Sequence, residues 1–317
     1  MKVIFDTNTY RNLAKNIFTT DNDAENRTKI LQLAKKEQTK NIRIELSYHV
    51  LLELLYHLSN ENDNDYEDCK NALKLALLHC GIPTIAESLD LTILNQFGDL
   101  GKINLYKEKN KNIWITSREF AIYGQSDIFK KNVQILKSEL NWFKQGISKG
   151  FKLMIDEFEK GNVKKRSFEI SNNINNEYYF SLLSRMEYCD VTPDLSSAIE
   201  IEDLELLKNY IEENKTTLDE IIEKHFVGFA HTSTIINNKY GDKAEMGKKF
   251  PNHFLDIEMC FLIDRFSDSI LVTDDGVSPN KSSKNKIHST FESIGLSSRV
   301  KNLNSYLEFI ELPQFKI

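Results

Sequence analysis

Lys2-Val3-Ile4-Phe5-Asp6-Thr7-Asn8 and Leu271-Val272-Thr273-Asp274-Asp275 decide how this chain is read. Each is a short apolar run that stops on an acid. Runs of this length, bounded by turn residues, read as buried strands. In a parallel α/β sheet all strands present their C-terminal ends on one edge, where ligands bind. Asp6 and the Asp274/Asp275 pair can therefore meet despite their separation in sequence. Acids commonly end strands simply because they begin turns, and for either run alone that is the plainer explanation. The two together point to a site, since hard divalent cations take carboxylate oxygens.

Working outward, a helix is expected from about Thr9, and a polar helical stretch over Ala24 to Lys36. Ile42 to Ser47 alternates apolar and polar, as a strand does. Val50 to Leu58 is a helix whose apolar residues cover roughly 200° of its circumference. Glu53 lies on its remaining polar strip, with His49, Tyr56 and His57. Tyr66 to Cys80 reads as a further amphipathic helix. At the other end, Asp256 to Phe266 reads as an apolar helix and Ser269 to Thr273 as a strand. Arg299 to Leu303 reads as a last strand and Asn304 to Leu312 as a last helix.

Between these ends lie long helical patterns, such as Phe129 to Phe158 and Ser197 to His225. Asn/Lys-rich stretches at Lys107 to Asn112 and Ser171 to Asn176 are expected to break them. The expected organisation is an α/β core from residues 1–80 and 251–317, with a mainly helical insertion over 81–250.

The 317 residues carry a net charge of -6, from 41 Lys+Arg against 47 Asp+Glu. That balance argues against a protein that coats DNA, but it allows a local basic path beside an acidic site. Cys69, Cys80, Cys189 and Cys260 form no CxxC pair, which removes a structural zinc site and suggests reduced thiols. The N-terminal run is too short for a signal peptide. No stretch approaches the roughly 20 apolar residues of a membrane span. The expectation is a cytoplasmic protein with no membrane partner.

The chain resembles the PIN-domain ribonucleases. The likeness rests on four motifs in order: Asp6-Thr7-Asn8 closing the first strand; Ser47 followed six residues later by Glu53 on a helix; Asp256 opening an apolar helix before a strand; and Thr273-Asp274-Asp275 as a T-x-D strand end. It covers residues 1–80 and 251–317. It implies a three-layer α/β/α fold around a mostly parallel sheet. It also implies Asp6, Glu53, Asp256 and Asp275 as catalytic ligands of Mg²⁺ or Mn²⁺, and hydrolysis of single-stranded RNA. Asn8, Ser47, Thr273 and Asp274 take supporting roles in this reading. Asn8 either caps the first helix or bonds to a site carboxylate. Asp256 and Ser47 also suit plain structural roles, as a helix cap and a strand-end hydroxyl. His57 and His253 are not expected to be ligands.

Lys248, Lys249, Lys281 and Lys284 flank the acids in sequence and are the candidates for phosphate contact. Other basic clusters, at Lys107/Lys109/Lys111, Lys130/Lys131 and Lys164/Lys165/Arg166, read mainly as solvated faces. A protein partner through the insertion, and a homodimer, are the partner classes left open. Two rival functions are a non-catalytic PIN-like module that binds RNA or a protein, and a haloacid-dehalogenase-like phosphatase. The phosphatase pattern is D-x-D, and Asn8 stands where its second acid is needed.

Overall fold

The computed structural model describes residues 1–20, 22–81, 84–141, 178–191, 204–238, 255–274 and 286–315. The chain divides into two compact units. The first comprises Met1–Ala86, Glu108–Trp142 and Ser267–Ile317, the second Glu87–Lys107 and Phe143–Phe266. This differs from the expected division in three stretches. Residues 81–86 and Glu108–Trp142 group with the first unit, and residues 251–266 group with the second.

The first unit is built on a four-stranded, wholly parallel sheet of order β2-β1-β3-β4. Its strands are β1 (Lys2–Phe5), β2 (Arg43–Glu45), β3 (Ser269–Val272) and β4 (Val300–Lys301). The central strands β1 and β3 pair in the register Lys2↔Ser269 to Phe5↔Val272. Burial on both faces explains their unbroken apolar sequences. All four residues of β3 are buried, as are Val3, Ile4 and Phe5. A parallel bridge from Leu46 to Ile85 extends the sheet beyond β2. The last strand is shorter than the expected Arg299 to Leu303. Ser297–Arg299 form a 3-10 turn, and Asn302 caps the helix that begins at Leu303.

Helices α1 (Thr7–Ile17), α2 (Asp23–Thr39), α3 (Tyr48–Leu58) and α4 (Tyr66–Cys80) follow the first two strands. α5 (Leu89–Phe97) belongs to the second unit, and α6 (Leu100–Tyr123) and α7 (Asp127–Asn141) come next in the chain. Lys107 to Asn112, expected to break a helix, lies inside α6. Lys107, Glu108, Lys109, Lys111 and Asn112 are exposed, so the stretch is a solvated helical face. Lysine and glutamate sustain a helix without any apolar stripe. Lys130 and Lys131 are exposed on α7. The remainder of the expected helix to Phe158 lies outside the described residues.

Phe5 locks the end of β1. Its ring packs edge-on against Tyr10 of α1 at 5.2 Å and Tyr306 at 5.1 Å, and stacks with His79 of α4 at 5.4 Å. Tyr306 lies on the C-terminal helix α13 (Leu303–Phe309). Beneath it, buried Glu37 accepts from the Tyr306 hydroxyl and meets His79 Nε2, each at 2.6 Å. A strand end gripped from three helices fixes where the next residue, Asp6, must sit.

In the second unit, α8 (Tyr178–Tyr188) and α9 (Leu204–Lys224) pack on α5 and on each other, α10 (Phe226–Asn238) packs on both α8 and α9, and a further helix, α11, spans residues 255–261. α11 ends before the expected Phe266. Leu262 and Ile263 donate to Met259 and Cys260, which tightens its last turn. Phe266 is then exposed in a turn. Gly228 lets α10 approach α11 closely, because a Cβ there would meet the Phe261 ring at 2.1 Å. Arg185 of α8 ties the bundle together. Its Nη1 and Nη2 each donate to Glu258 of α11 at 2.7 Å, and its Nε and Nη2 donate to Asp90 of α5. Burial opposes the guanidinium charge, but Glu258 and Asp90 outweigh it and raise the Arg185 pKa. No helix among the described residues is long and apolar enough to cross a membrane.

Candidate functional site

The strand order puts a topological switch between β1 and β3. The chain leaves β1 for β2 on one side, and the later strands add on the other. Open parallel sheets bind ligands in the crevice outside the strand ends at such a point. Asp6 follows β1 there, and Thr273-Asp274 follow β3.

Asp6 is buried, with 8% exposure. It is the N-cap of α1, and its Oδ1 accepts from the Thr9 backbone N–H at 2.6 Å. Its Oδ2 accepts from the Thr273 hydroxyl at 2.5 Å. One strand end is thus bonded directly to its neighbour. Thr9 reinforces the join, since its hydroxyl donates to the Val272 carbonyl at 3.0 Å. Asn8 does not cap α1; that role falls to Asp6, and Asn8 is an exposed residue in the first turn.

Glu53 projects from α3, and its Oε2 accepts from the Thr7 hydroxyl at 2.5 Å. Ser47 is fully buried and is the N-cap of α3, with Oγ accepting from the His49 N–H at 3.1 Å. Its place in the fold is to start the helix that carries Glu53. Asp274 has a different kind of environment. Oδ1 accepts from the Leu303 backbone N–H at 2.8 Å and Oδ2 from Asn12 Nδ2 at 2.9 Å. It clamps the end of β3 to α1 and to the start of α13.

His288 lies on α12 (Lys286–Ser293), with Nε2 3.5 Å from the Thr273 carbonyl oxygen. Burial lowers its pKa, with the Thr273 carbonyl and Asp274 pulling the other way. A more distant set, His57, Asp63 and Asp65, brings its potential ligand atoms within 4.8 Å of one another. Protein contacts account for this set. Asp63 Oδ1 meets His57 Nδ1 and the Asp65 N–H, each at 2.9 Å, and Arg11 pairs with Asp65. Cys69 sits among these acids. Burial pushes its thiol up to about 12; Arg11 opposes, and Asp65, Glu53 and Asp63 add to the rise.

Of the residues expected from sequence, Asp6, Ser47, Glu53, Thr273 and Asp274 all belong to the first unit, and Asp6 and Thr273 are in direct contact. Asp256 is half-buried on α11 of the second unit. Asp275, Lys248, Lys249, Lys281, Lys284 and the Lys164/Lys165/Arg166 cluster lie outside the described residues. Thr7 and Asn12, which hold Glu53 and Asp274, were not among the expected residues. Thr7 was legible only as the middle of a D-T-N motif, and no local pattern marks Asn12. Protein-family models, curated proteins and solved structures were all compared with this chain, and none matches it.

Proposed function

We propose that the first unit carries a PIN-like, divalent-metal-dependent nuclease site that hydrolyses phosphodiester bonds of single-stranded RNA. The observation that supports this most is the Thr273–Asp6 hydrogen bond across neighbouring strand ends at the switch point. Glu53 is bonded to Thr7, the residue next to Asp6. The donor set fits the ion: Asp6 and Glu53 offer carboxylate oxygens, the ligand type that Mg²⁺ and Mn²⁺ prefer. Neutral hydroxyls and a backbone amide are among the groups that orient these acids.

In this reading Asp6 and Glu53 would hold the ion. Asp275, next in the chain to Asp274, is the further ligand that the T-x-D register selects. Asp256 enters on the sequence resemblance alone. A bound ion supplies a water of lowered pKa and screens the phosphodiester charge. The chain's own contribution is orientation: Thr273 and the Thr9 amide fix the Asp6 carboxylate, and Thr7 fixes that of Glu53. Asp274, which clamps the end of β3 to α1 and to the start of α13, is assigned to the fold around the site. That assignment weighs against a phosphatase that would use both neighbouring acids.

The test is cleavage of end-labelled single-stranded RNA by the pure protein, with Mn²⁺ and with EDTA. Cleavage that EDTA abolishes and Asp6→Asn removes is the expected result. Cleavage unaffected by EDTA would overturn the metal chemistry. RNA binding with neither cleavage nor Mn²⁺ binding would instead favour the non-catalytic module.

A further inference from the structure

We infer that Thr7 is a positioning residue that sets the Glu53 carboxylate relative to Asp6. This rests on the metal-site reading above and adds a residue that the four-acid pattern does not contain. The geometry begins with adjacency. Asp6 and Thr7 are consecutive, and Asp6 caps the helix that Thr7 begins. The Thr7 hydroxyl donates to Glu53 Oε2 at 2.5 Å, across 46 residues of sequence. Thr7 is itself buried, with 7% exposure, and Glu53 is half-buried, so this bond is partly shielded from competing water.

The first turn of α1 therefore serves both acids. Its Thr9 amide holds Asp6, and its Thr7 hydroxyl holds Glu53. The turn is in turn fixed to β3, since Thr9 donates to the Val272 carbonyl. Glu53 has three side-chain torsions, and without an anchor it would sample many rotamers. An anchor on the residue beside Asp6 reduces the two carboxylates to one rigid frame. Thr suits this place because its β-branched side chain has few χ1 choices, which limits the directions open to the hydroxyl.

The prediction is specific to metal affinity. Mn²⁺ binding is measured by isothermal titration calorimetry on the full chain, together with urea unfolding of each variant. Thr7→Val keeps the shape and removes the hydroxyl, and should weaken Mn²⁺ binding about tenfold, the scale on which partners that orient metal ligands act. Thr7→Ser restores a hydroxyl and should recover most of that loss. In a Glu53→Gln background, Thr7→Val should cause no further loss, because the residue acts through Glu53.

Wild-type affinity in Thr7→Val, or an equal loss with and without the Glu53 carboxylate, would overturn the inference while leaving the metal reading intact. Absence of Mn²⁺ binding by the wild-type chain, or unchanged binding in Glu53→Gln, would overturn the metal reading itself. If Thr7→Val does not fold, Thr7→Ala carries the same expectation and is read by the same comparison.

Discussion

Asp90 and Glu258 in the second unit meet a guanidinium, whereas Asp6 and Glu53 in the first are oriented by hydroxyls and a backbone N–H. The two sets are chemically alike and differ in the donors described for them. Arg185 offers a planar fork that takes both acids at once, a neutralised arrangement whose product is a held-together helical bundle. Hydroxyls and amides fix the direction of a carboxylate without adding a positive charge. The comparison separates acids that staple a fold from acids that the proposed site would use.

The largest expected effect falls on the staple. Arg185→Met should destabilise the protein by about 3–5 kcal/mol, because Asp90 and Glu258 would be left buried without their counter-charge. Urea denaturation measures this, and a loss below 1 kcal/mol would erase the contrast.

The second unit also holds a neutral buried imidazole. His225 Nδ1 donates to the Phe261 carbonyl at 2.6 Å, and the Thr92 hydroxyl lies 2.8 Å from Nε2. Burial lowers the His225 pKa to about 4. The unfolded chain, near the ordinary value, binds this proton first as pH falls. Stability is therefore full above about pH 6.5 and is lost progressively toward pH 4, by roughly 3 kcal/mol in all. Unfolding midpoints that are flat between pH 7 and pH 4 would contradict this.

At the first unit's acids the expected change is in activity. Asp6→Asn should reduce cleavage by on the order of a hundredfold or more, since even partners of metal ligands cost 10–100-fold. Asparagine is as good a helix cap as aspartate, and the Thr273 hydroxyl can turn to accept from its amide group, so folding stability should not fall. Glu258→Gln in the second unit should lower stability, because it removes a charge that Arg185 needs. Opposite responses to the same acid-to-amide change would sharpen the comparison. Equal destabilisation would break it.

Two smaller effects complete the series. Asp274→Asn retains one acceptor oxygen for two donors, Leu303 N–H and Asn12. It should cost about 1–2 kcal/mol of stability and reduce cleavage less than Asp6→Asn. Ser47→Ala should cost about 1 kcal/mol through loss of the α3 cap, with Mn²⁺ affinity unchanged. A collapse of metal affinity in Ser47→Ala would assign that hydroxyl a chemical role.

The sheet was readable in the sequence because its two central strands are buried on both faces. Continuous apolar runs such as Val3-Ile4-Phe5 and Ile270-Leu271-Val272 follow from that burial. The strand-end acids were readable for the same reason, as the first polar residues after each run. The α6 stretch misled because Lys107 to Asn112 has no apolar stripe, and a solvated helical face then looks like a break. The residues that hold the acids were harder still. Asn12 and Asp274 are 262 residues apart, and Thr7 and Glu53 are 46 apart. Such partners are chosen by tertiary geometry and leave no local period. Asp6 concealed a second function in plain view, since it is both a candidate ligand and the cap of α1.

The pairing of β1 with β3 also constrains the order of events during synthesis. Phe5 pairs with Val272, and Asp6 bonds to Thr273. A growing chain carries Asp6 long before Thr273, and the bond between them cannot form until translation has passed residue 273. β1 must wait, with β2 as its only strand neighbour and one long edge exposed. Domains form as units while the ribosome moves at about 5–20 residues per second, and long-range strand pairing is slow in itself. Pairing of β1 with β3 therefore waits on synthesis of everything between them, and a nascent chain stalled before β3 would lack both that pairing and the Thr273–Asp6 bond.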